Sequence, residues 1–594
     1  MKKALAFLVV LLLVVLPLAS CNDVQGVPDE PNVPVAENVV IASSEGTQYS
    51  VLLGSDLVSG QKIEIKTMVD SLKNDFGIEM EIRLPSREEG DQPPEAYEIV
   101  VGRASRTESD AAYGKLRYGE YSVSYNAATK RITVVGSSNE LSLEAFKYLF
   151  DTYFDKSTGT LSIPGDLSYH FTVDYPYDSI TINGVDVREY TIIVPSFDDI
   201  YSYYTAQSIS DYFMYKTGYG IDIAEDERDE SRYEILIGDT SRDEDDLACP
   251  PEIGEYAVAL VGDKLVLRGY GIYVGAGFGE TVAPVLDGGG TRTPSVDNLP
   301  TSLALKKYSS PESADSVVLM IGDGMGPNHI EAALLGGLDT FVPESFTSIG
   351  HAVTRSLSVM RGKAEATDSA ASATAMATGT KTVNGYIGKD ESGKDLVNVR
   401  EIAAESGAKT AVITTDAITG ATPSAFLVHN IARTNTDEIK EDILELVASG
   451  GIDYCHGSAS DFLTVRIREA LGTIAYTDAP FFMMVEEGKI DTYSHSNDLS
   501  GAIKALTRFN DAVTYVACFV MARGDTALIV TADHETGGLI VDAEAEAGYA
   551  YTTENHTNVD VGLFAIGGGT DIFDGVRTEN TDIAKFMTAH FVSE

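Results

Sequence analysis

At 594 residues the chain is too long for one ordinary core, so two or three domains are expected. Apolar residues make up 44% and aromatics 9%, with no tryptophan, the make-up of a soluble globular protein. The 43 basic and 90 acidic residues leave a net charge of -47, which argues against nucleic acid and polybasic membrane docking; an anionic substrate would need strong local positive charge, and bound metal ions are the obvious source.

Residues 1–21, MKKALAFLVVLLLVVLPLASC, read as a secretory leader: two lysines, an apolar run too short for a comfortable membrane span, then small residues before Cys21. The Leu18-Ala19-Ser20-Cys21 ending resembles a bacterial lipobox, which implies cleavage before Cys21, a lipid anchor on it, and an extracytoplasmic address at the cell membrane. Residues 22–37 are polar, acidic and proline-rich, as expected of a tether. Beyond Cys21 only Cys249, Cys455 and Cys518 remain, scattered and without a Cys-x-x-Cys pair. Cys518 lies in an apolar helical run and reads as a buried thiol. Any metal site must then use histidines and carboxylates, a donor set suited to zinc or magnesium.

A weak internal repeat follows. Tyr97-Glu-Ile-Val-Val-Gly102 recurs as Tyr233-Glu-Ile-Leu-Ile-Gly238, each followed by Ser-Arg and an acid (Ser105, Arg106, Glu108; Ser241, Arg242, Glu244). Gly119-Glu120-Tyr121 recurs as Gly254-Glu255-Tyr256. The spacing predicts two α+β modules, residues 38–175 and 176–300, each of about 130 residues, a common domain size. Neither carries a cluster of His, Cys and acids, and His170 reads as structural. The modules resemble accessory domains of secreted carbohydrate-active proteins, which implies contact with a wall glycan; a spacer without a ligand is the alternative. Residues 288–311, rich in Gly, Pro, Ser and Thr, read as a linker, placing the last domain boundary within 301–314.

From Ser316 onward, short apolar runs stop at acids. Val317–Ile321 leads to Asp323, Phe481–Val485 to Glu486, and Ala527–Thr531 to Asp533 and His534. Such runs predict buried parallel strands with helices between them, and open α/β sheets bind ligands beyond the carboxyl ends of their strands. Asp491 and His495 share one face if their turn is helical, as a metal pair requires. Residues 499–521 predict an amphipathic helix covering one face of the sheet, with Ile503, Leu506, Phe509, Val513, Val516 and Val520 at a period near 3.6. His556 precedes another apolar strand, Val561–Ile566. The run Thr367-Asp-Ser-Ala-Ala-Ser-Ala-Thr-Ala375 predicts a helix opening at Asp368 or Ser369, tightly packed by its small residues, with the Ser369 hydroxyl at its positive end.

Five motifs in order resemble the alkaline phosphatase family over residues 315–594: Ile321-Gly-Asp-Gly-Met-Gly326, Thr367–Ala375, Ala421-Thr422-Pro423 with His429 and Arg433 downstream, Glu486 to His495, and Thr531-Ala-Asp-His-Glu-Thr-Gly-Gly538. The resemblance implies a central α/β sheet flanked by helices, and hydrolysis of small phosphomonoesters through a phosphoserine at Ser369. It implies Asp491, His495 and His556 as ligands of a first Zn2+, and Asp323, Ser369, Asp533 and His534 around a second. Asp323, Thr422 and Glu486 would border one Mg2+, and Arg433 would grip phosphate. Three departures stand out: Gly420 where relatives carry Asp or His, Thr492 where they carry a larger or cationic side chain, and a short interval from Arg433 to Glu486 that leaves dimerisation open. A diester substrate, such as a phospholipid or wall polymer, and a non-catalytic surface binding protein are the alternatives.

Overall fold

A computed structural model of the chain describes residues 37–84, 96–104, 106–242, 250, 252–458, 463–477, 479–542 and 548–592. The leader, Cys21, nearly all of the tether, Ser105, Glu244 and Cys249 lie outside the described residues. Among the described residues no helix is long and apolar enough to cross a membrane. The chain divides into two compact units, one up to Phe171 apart from residues 117–120, the other comprising those four residues and Thr172–Glu594.

The first unit is built on a six-stranded sheet in the order Ile82–Arg83, Ser50–Leu53, Glu98–Val101, Arg131–Gly136, Tyr121–Asn126, Ser168–Phe171. The first four strands run parallel to one another, and Tyr121–Asn126 is antiparallel to both its neighbours. In the second unit the sheet Ile223–Glu225, Thr191–Val194, Glu234–Ile237, Lys264–Gly269, Glu255–Val261, Lys306–Lys307 has the same order and the same directions.

The repeated Tyr-Glu motif has a physical reason. Glu98 and Glu234 are both buried at the start of a central strand, where an unpaired carboxylate would be costly. Arg106 and Arg131 meet Glu98 at 2.9 and 3.0 Å. Arg242 and Lys264 meet Glu234 at 3.4 and 3.1 Å. The arginine of each Ser-Arg pair is therefore the partner of the buried glutamate upstream.

The third large sheet has eight strands in the order Tyr454–His456, Lys409–Thr414, Phe481–Glu487, Ser316–Gly322, Thr526–Thr531, Val561–Ile566, Ser348–Val353, Arg577–Glu579. The first five are parallel, and Val561–Ile566 is antiparallel to both its neighbours. The expected buried strands are all present, flanked by helices.

Two expectations change in the second unit. The helix Leu499–Arg523 is buried nearly all round along its C-terminal half, because the second module covers the side turned away from the sheet. Ile272, Tyr273 and Ala276 of that module join the same apolar core as the eight-stranded sheet. Arg468 forks onto buried Asp211 with two hydrogen bonds of 2.8 and 2.6 Å, and the Tyr204 hydroxyl donates to Asp511 at 2.7 Å. The stretch read as a linker contributes the short strands Ser295–Val296 and Lys306–Lys307; the latter extends the module's own sheet.

Candidate metal centre and nucleophile

The parallel strands deliver their acids to one sheet edge. Gly322, Glu487 and Thr531 end three adjacent strands, so Asp323, Glu486 and the Asp533-His534 pair stand side by side. The loop after Asp323 is held tightly. Gly324 has φ +76°, and a Cβ there would stand 2.8 Å from Asp491 Cα, so both backbone conformation and space demand glycine. Its N–H donates to Asp533 Oδ1 at 3.1 Å.

Asp491 and His495 share a face of the helix Lys489–His495, as the spacing predicts. His556 comes from a two-residue strand paired with Glu535–Thr536. Ser369 is the first residue of the helix Ser369–Thr378 and is 3% exposed. The cap itself is Asp368, whose Oδ1 accepts from the Ala371 N–H at 3.0 Å. Its other oxygen accepts from the Gly385 N–H at 2.9 Å and from Arg433 at 3.3 Å. Asp368 thus fixes both the helix start and the guanidinium. Ser372 Oγ donates to the Asp533 carbonyl at 2.6 Å, tying this helix to the strand end that carries His534.

Three imidazoles have their tautomers set by their surroundings. His556 Nδ1–H donates to the Thr367 carbonyl at 2.9 Å, and His495 Nδ1–H donates to the Glu554 carbonyl. Thr536 Oγ1 donates to Asp491 Oδ1 and so accepts from His534 Nδ1–H, at 3.2 Å. Each Nε2 is then left to the interior of the site. His495 and His556 bring theirs within 3.0 Å of each other, both beside Asp491, at 3.3 and 3.4 Å. His534 Nε2 lies 3.3 Å from Ser369 Oγ, 3.1 Å from Asp533 and 3.7 Å from Asp323.

The donor atoms fall into two groups, Asp491 with His495 and His556, and Asp323 with Asp491 and His534; within each, all lie within 4.8 Å of one another. Asp533 adjoins the second, and Asp491 belongs to both. Buried Asp323 Oδ1 and Asp533 Oδ2 have no hydrogen-bond partner among the described residues. Orphaned acceptors beside bare imidazole nitrogens form a set that suits divalent cations. Glu486 accepts from Thr414 Oγ1 and has Thr422 beside it. Gly420 offers no side chain, and a Cβ there would stand 2.9 Å from the Ala417 carbonyl oxygen. Thr492 is exposed and donates to the Gly488 carbonyl at 3.1 Å. His429 bonds Glu401 and the Gly388 backbone, away from the cluster. Thr536, Ser372 and Asp368's link to Arg433 were not singled out by the sequence, because their partners are remote along the chain.

Crowding of acids shifts their titration. Burial, then Asp533, Asp491 and Glu486, push Asp323 well above the usual carboxylate range. Burial pushes Glu486 up to about 7 and, with Asp491, Asp533 up to about 6. Burial would also raise Asp491, but its bonds to His495 and His556 outweigh that and hold it far below the usual range. The same carboxylate raises His495 to about 9. Burial, then His556, push His534 well below the ordinary imidazole value.

A pH dependence follows for the protein kept in chelator. Between pH 6.5 and about 9, His495 holds a proton in the folded state that the unfolded chain has released. Glu486 and Asp323 act in the same direction and Asp491 is ionised in both states, while His534, neutral when folded, opposes the trend only at the acid edge of the window, where the unfolded imidazole is still partly protonated. Folding therefore takes up protons, and stability falls as pH rises. Melting temperatures with chelator at pH 6.5 and 9 check this; a melt unchanged or higher at pH 9 would contradict it.

A family model described as alkaline phosphatase matches residues 314–464 and 443–550. Alkaline phosphatase 4 of Bacillus subtilis (strain 168) is 29% identical over 309 residues, 41% of this chain and 67% of the relative. The alkaline phosphatase of Escherichia coli (strain K12) is 35% identical over 161 residues, 26% of this chain and 32% of the relative. Among solved structures, the alkaline phosphatase from the Antarctic bacterium TAB5 aligns with 47% of this chain and 98% of its own at 25% identity and a TM-score of 0.43. The chain spans 60% to 67% of the length of the first three curated relatives. Residues 314–550 of the chain thus match the alkaline phosphatase family.

Proposed function

We propose that the protein hydrolyses phosphate monoesters to an alcohol and inorganic phosphate, with Ser369 as nucleophile. The observation that carries this reading is a buried serine hydroxyl at a helix N-terminus, 3.3 Å from His534 Nε2, beside buried carboxylate oxygens without a hydrogen-bond partner among the described residues. Asp491, His495 and His556 would hold one Zn2+, and Asp323, Asp533, His534 and Ser369 Oγ a second. Asp323, Thr422 and Glu486 would hold Mg2+, at a site that Gly420 leaves without a further side chain. Bound there, such ions supply Lewis acidity and positive charge where a phosphoryl group passes.

The chain's own residues do the rest. The Ser369 helix directs its positive end at an incoming phosphate. Arg433, steadied by Asp368, presents a planar fork that matches two phosphoryl oxygens. Attack by Ser369 Oγ on phosphorus forms a phosphoserine as the bond to the leaving oxygen breaks, the proton lost by the hydroxyl balancing the one that the departing alcohol takes up. Water then attacks the same phosphorus and returns the serine. The leader and its lipobox-like ending support placing this chemistry outside the cytoplasm, on a lipid anchor at Cys21.

Rates on an aryl phosphomonoester and an aryl phosphodiester, measured beside zinc and magnesium content, test the proposal. The monoester should be the faster by at least about 100-fold, a modest share of what an enzyme supplies. A faster diester would overturn it.

A further inference from the structure

His329 is a histidine that neither the proposed mechanism nor the metal sets use. It is the third residue of the helix Pro327–Leu335, 2% exposed, between the Asp323 loop and the helix Lys489–His495. The Gly326 N–H donates to its Nδ1 at 3.2 Å. A ring nitrogen that accepts carries no hydrogen, so in the neutral ring the hydrogen sits on Nε2. That Nε2–H donates to Ser494 Oγ at 3.0 Å. Ser494 Oγ, already accepting, can pass its own hydrogen to Tyr551 OH at 3.2 Å. Burial pushes His329 down to about 4, consistent with a ring that stays neutral.

The two ends of this bridge matter. Gly326 closes the loop that begins at Asp323, and a Cβ on it would stand 2.2 Å from Glu535 Cγ, so the loop is wedged against the strand after His534. Ser494 lies between Asp491 and His495 in sequence, on the short helix that carries both. Seven residues make fewer than two turns, too few to hold a position by helix propensity alone. Side chains must fix that helix against the loop.

We propose that the His329–Ser494 hydrogen bond is a positioning device that holds the helix Lys489–His495 against the Asp323 loop, and so fixes where Asp491 and His495 stand for the first Zn2+. This rests on the metal-holding reading above. His329 is a positioning residue: it acts through the backbone it ties, with no contact to a phosphate or an ion.

The two bonds of the ring can be separated. His329→Asn keeps an acceptor near the Nδ1 position but lacks the reach to Ser494. His329→Gln carries a donor near the Nε2 position. Ser494→Ala removes the acceptor with almost no change of volume. The measurements are zinc content, zinc release into a chromogenic chelator, and melting temperature in EDTA, all on the full chain. Hydrogen bonds made directly to metal ligands are typically worth 10–100-fold in affinity, and a bond to Ser494, next in sequence to His495, should act at the low end of that range. His329→Asn and Ser494→Ala should therefore lose first-site zinc at least about tenfold more readily, with the EDTA melt close to that of the unchanged protein, and His329→Gln should retain it. Unchanged zinc release in both His329→Asn and Ser494→Ala overturns the proposal, as does a loss in His329→Gln equal to that in His329→Asn. An unchanged protein that takes up no zinc defeats the metal-holding reading itself, and this proposal with it.

Discussion

Replacing Ser369 with alanine should lower phosphate release by at least about 10³-fold, the scale on which removing a covalent nucleophile acts, while zinc stays largely bound. The fold gives a reason to expect the two effects to separate. Asp368, not Ser369, caps the helix, through the Ala371 N–H, so alanine leaves the helix start intact. The inward-facing nitrogens of His495, His534 and His556 are oriented by Glu554, Thr536 and Thr367, none of which depends on the serine. Zinc content and single-turnover rates on an aryl phosphate are the measurements. Residual turnover within tenfold of the unchanged enzyme would mean that another group attacks phosphorus.

A fragment beginning at residue 315 should fail to fold cooperatively, although it contains every proposed site residue. The helix Leu499–Arg523 would lose the partners of its second side. Gly275 and Gly279 run so close to it that Cβ atoms there would lie 3.1 Å from the Ala522 nitrogen and 2.2 Å from the Met521 oxygen. Tyr204 packs edge-on against Tyr515, and Tyr215 stacks on Tyr476 at 4.5 Å. Each large apolar side chain returned to water costs roughly 1.5–3 kcal/mol, so a handful exceeds the roughly 5–15 kcal/mol by which a domain is stable. A chain begun at residue 172 keeps these contacts and should fold. Near-ultraviolet circular dichroism and thermal melts of both fragments decide the matter; a sharp melt for the shorter one would refute the expectation.

Much of the cluster was legible because its acids end strands. Apolar runs that stop at Asp323, Glu486 and Asp533 announce buried parallel strands, and the four-residue step from Asp491 to His495 announces a helix face. The Ser369 helix was equally plain from its run of small residues. His556 was harder, since a two-residue strand leaves no periodic trace and only the family resemblance drew it in. Thr536 and His329 were invisible for another reason: their importance lies in hydrogen bonds to residues far along the chain. The long helix was half legible. Its period-3.6 stripe marks the side on the sheet, whereas Tyr515, Cys518 and Ala522 enrich the other side in a way that a sequence alone does not connect to a module more than 200 residues upstream.

The shared core between the second module and the eight-stranded sheet also bears on descent. If the shorter fragment fails to fold, a gene segment encoding only the motif-bearing region would not keep its shape in a new protein, because part of its interior is written elsewhere. The piece to be inherited whole would then be the body from Thr172 onward, and substitutions in Ile272, Tyr273 or Asp211 should be constrained as if they belonged to the motif-bearing region itself.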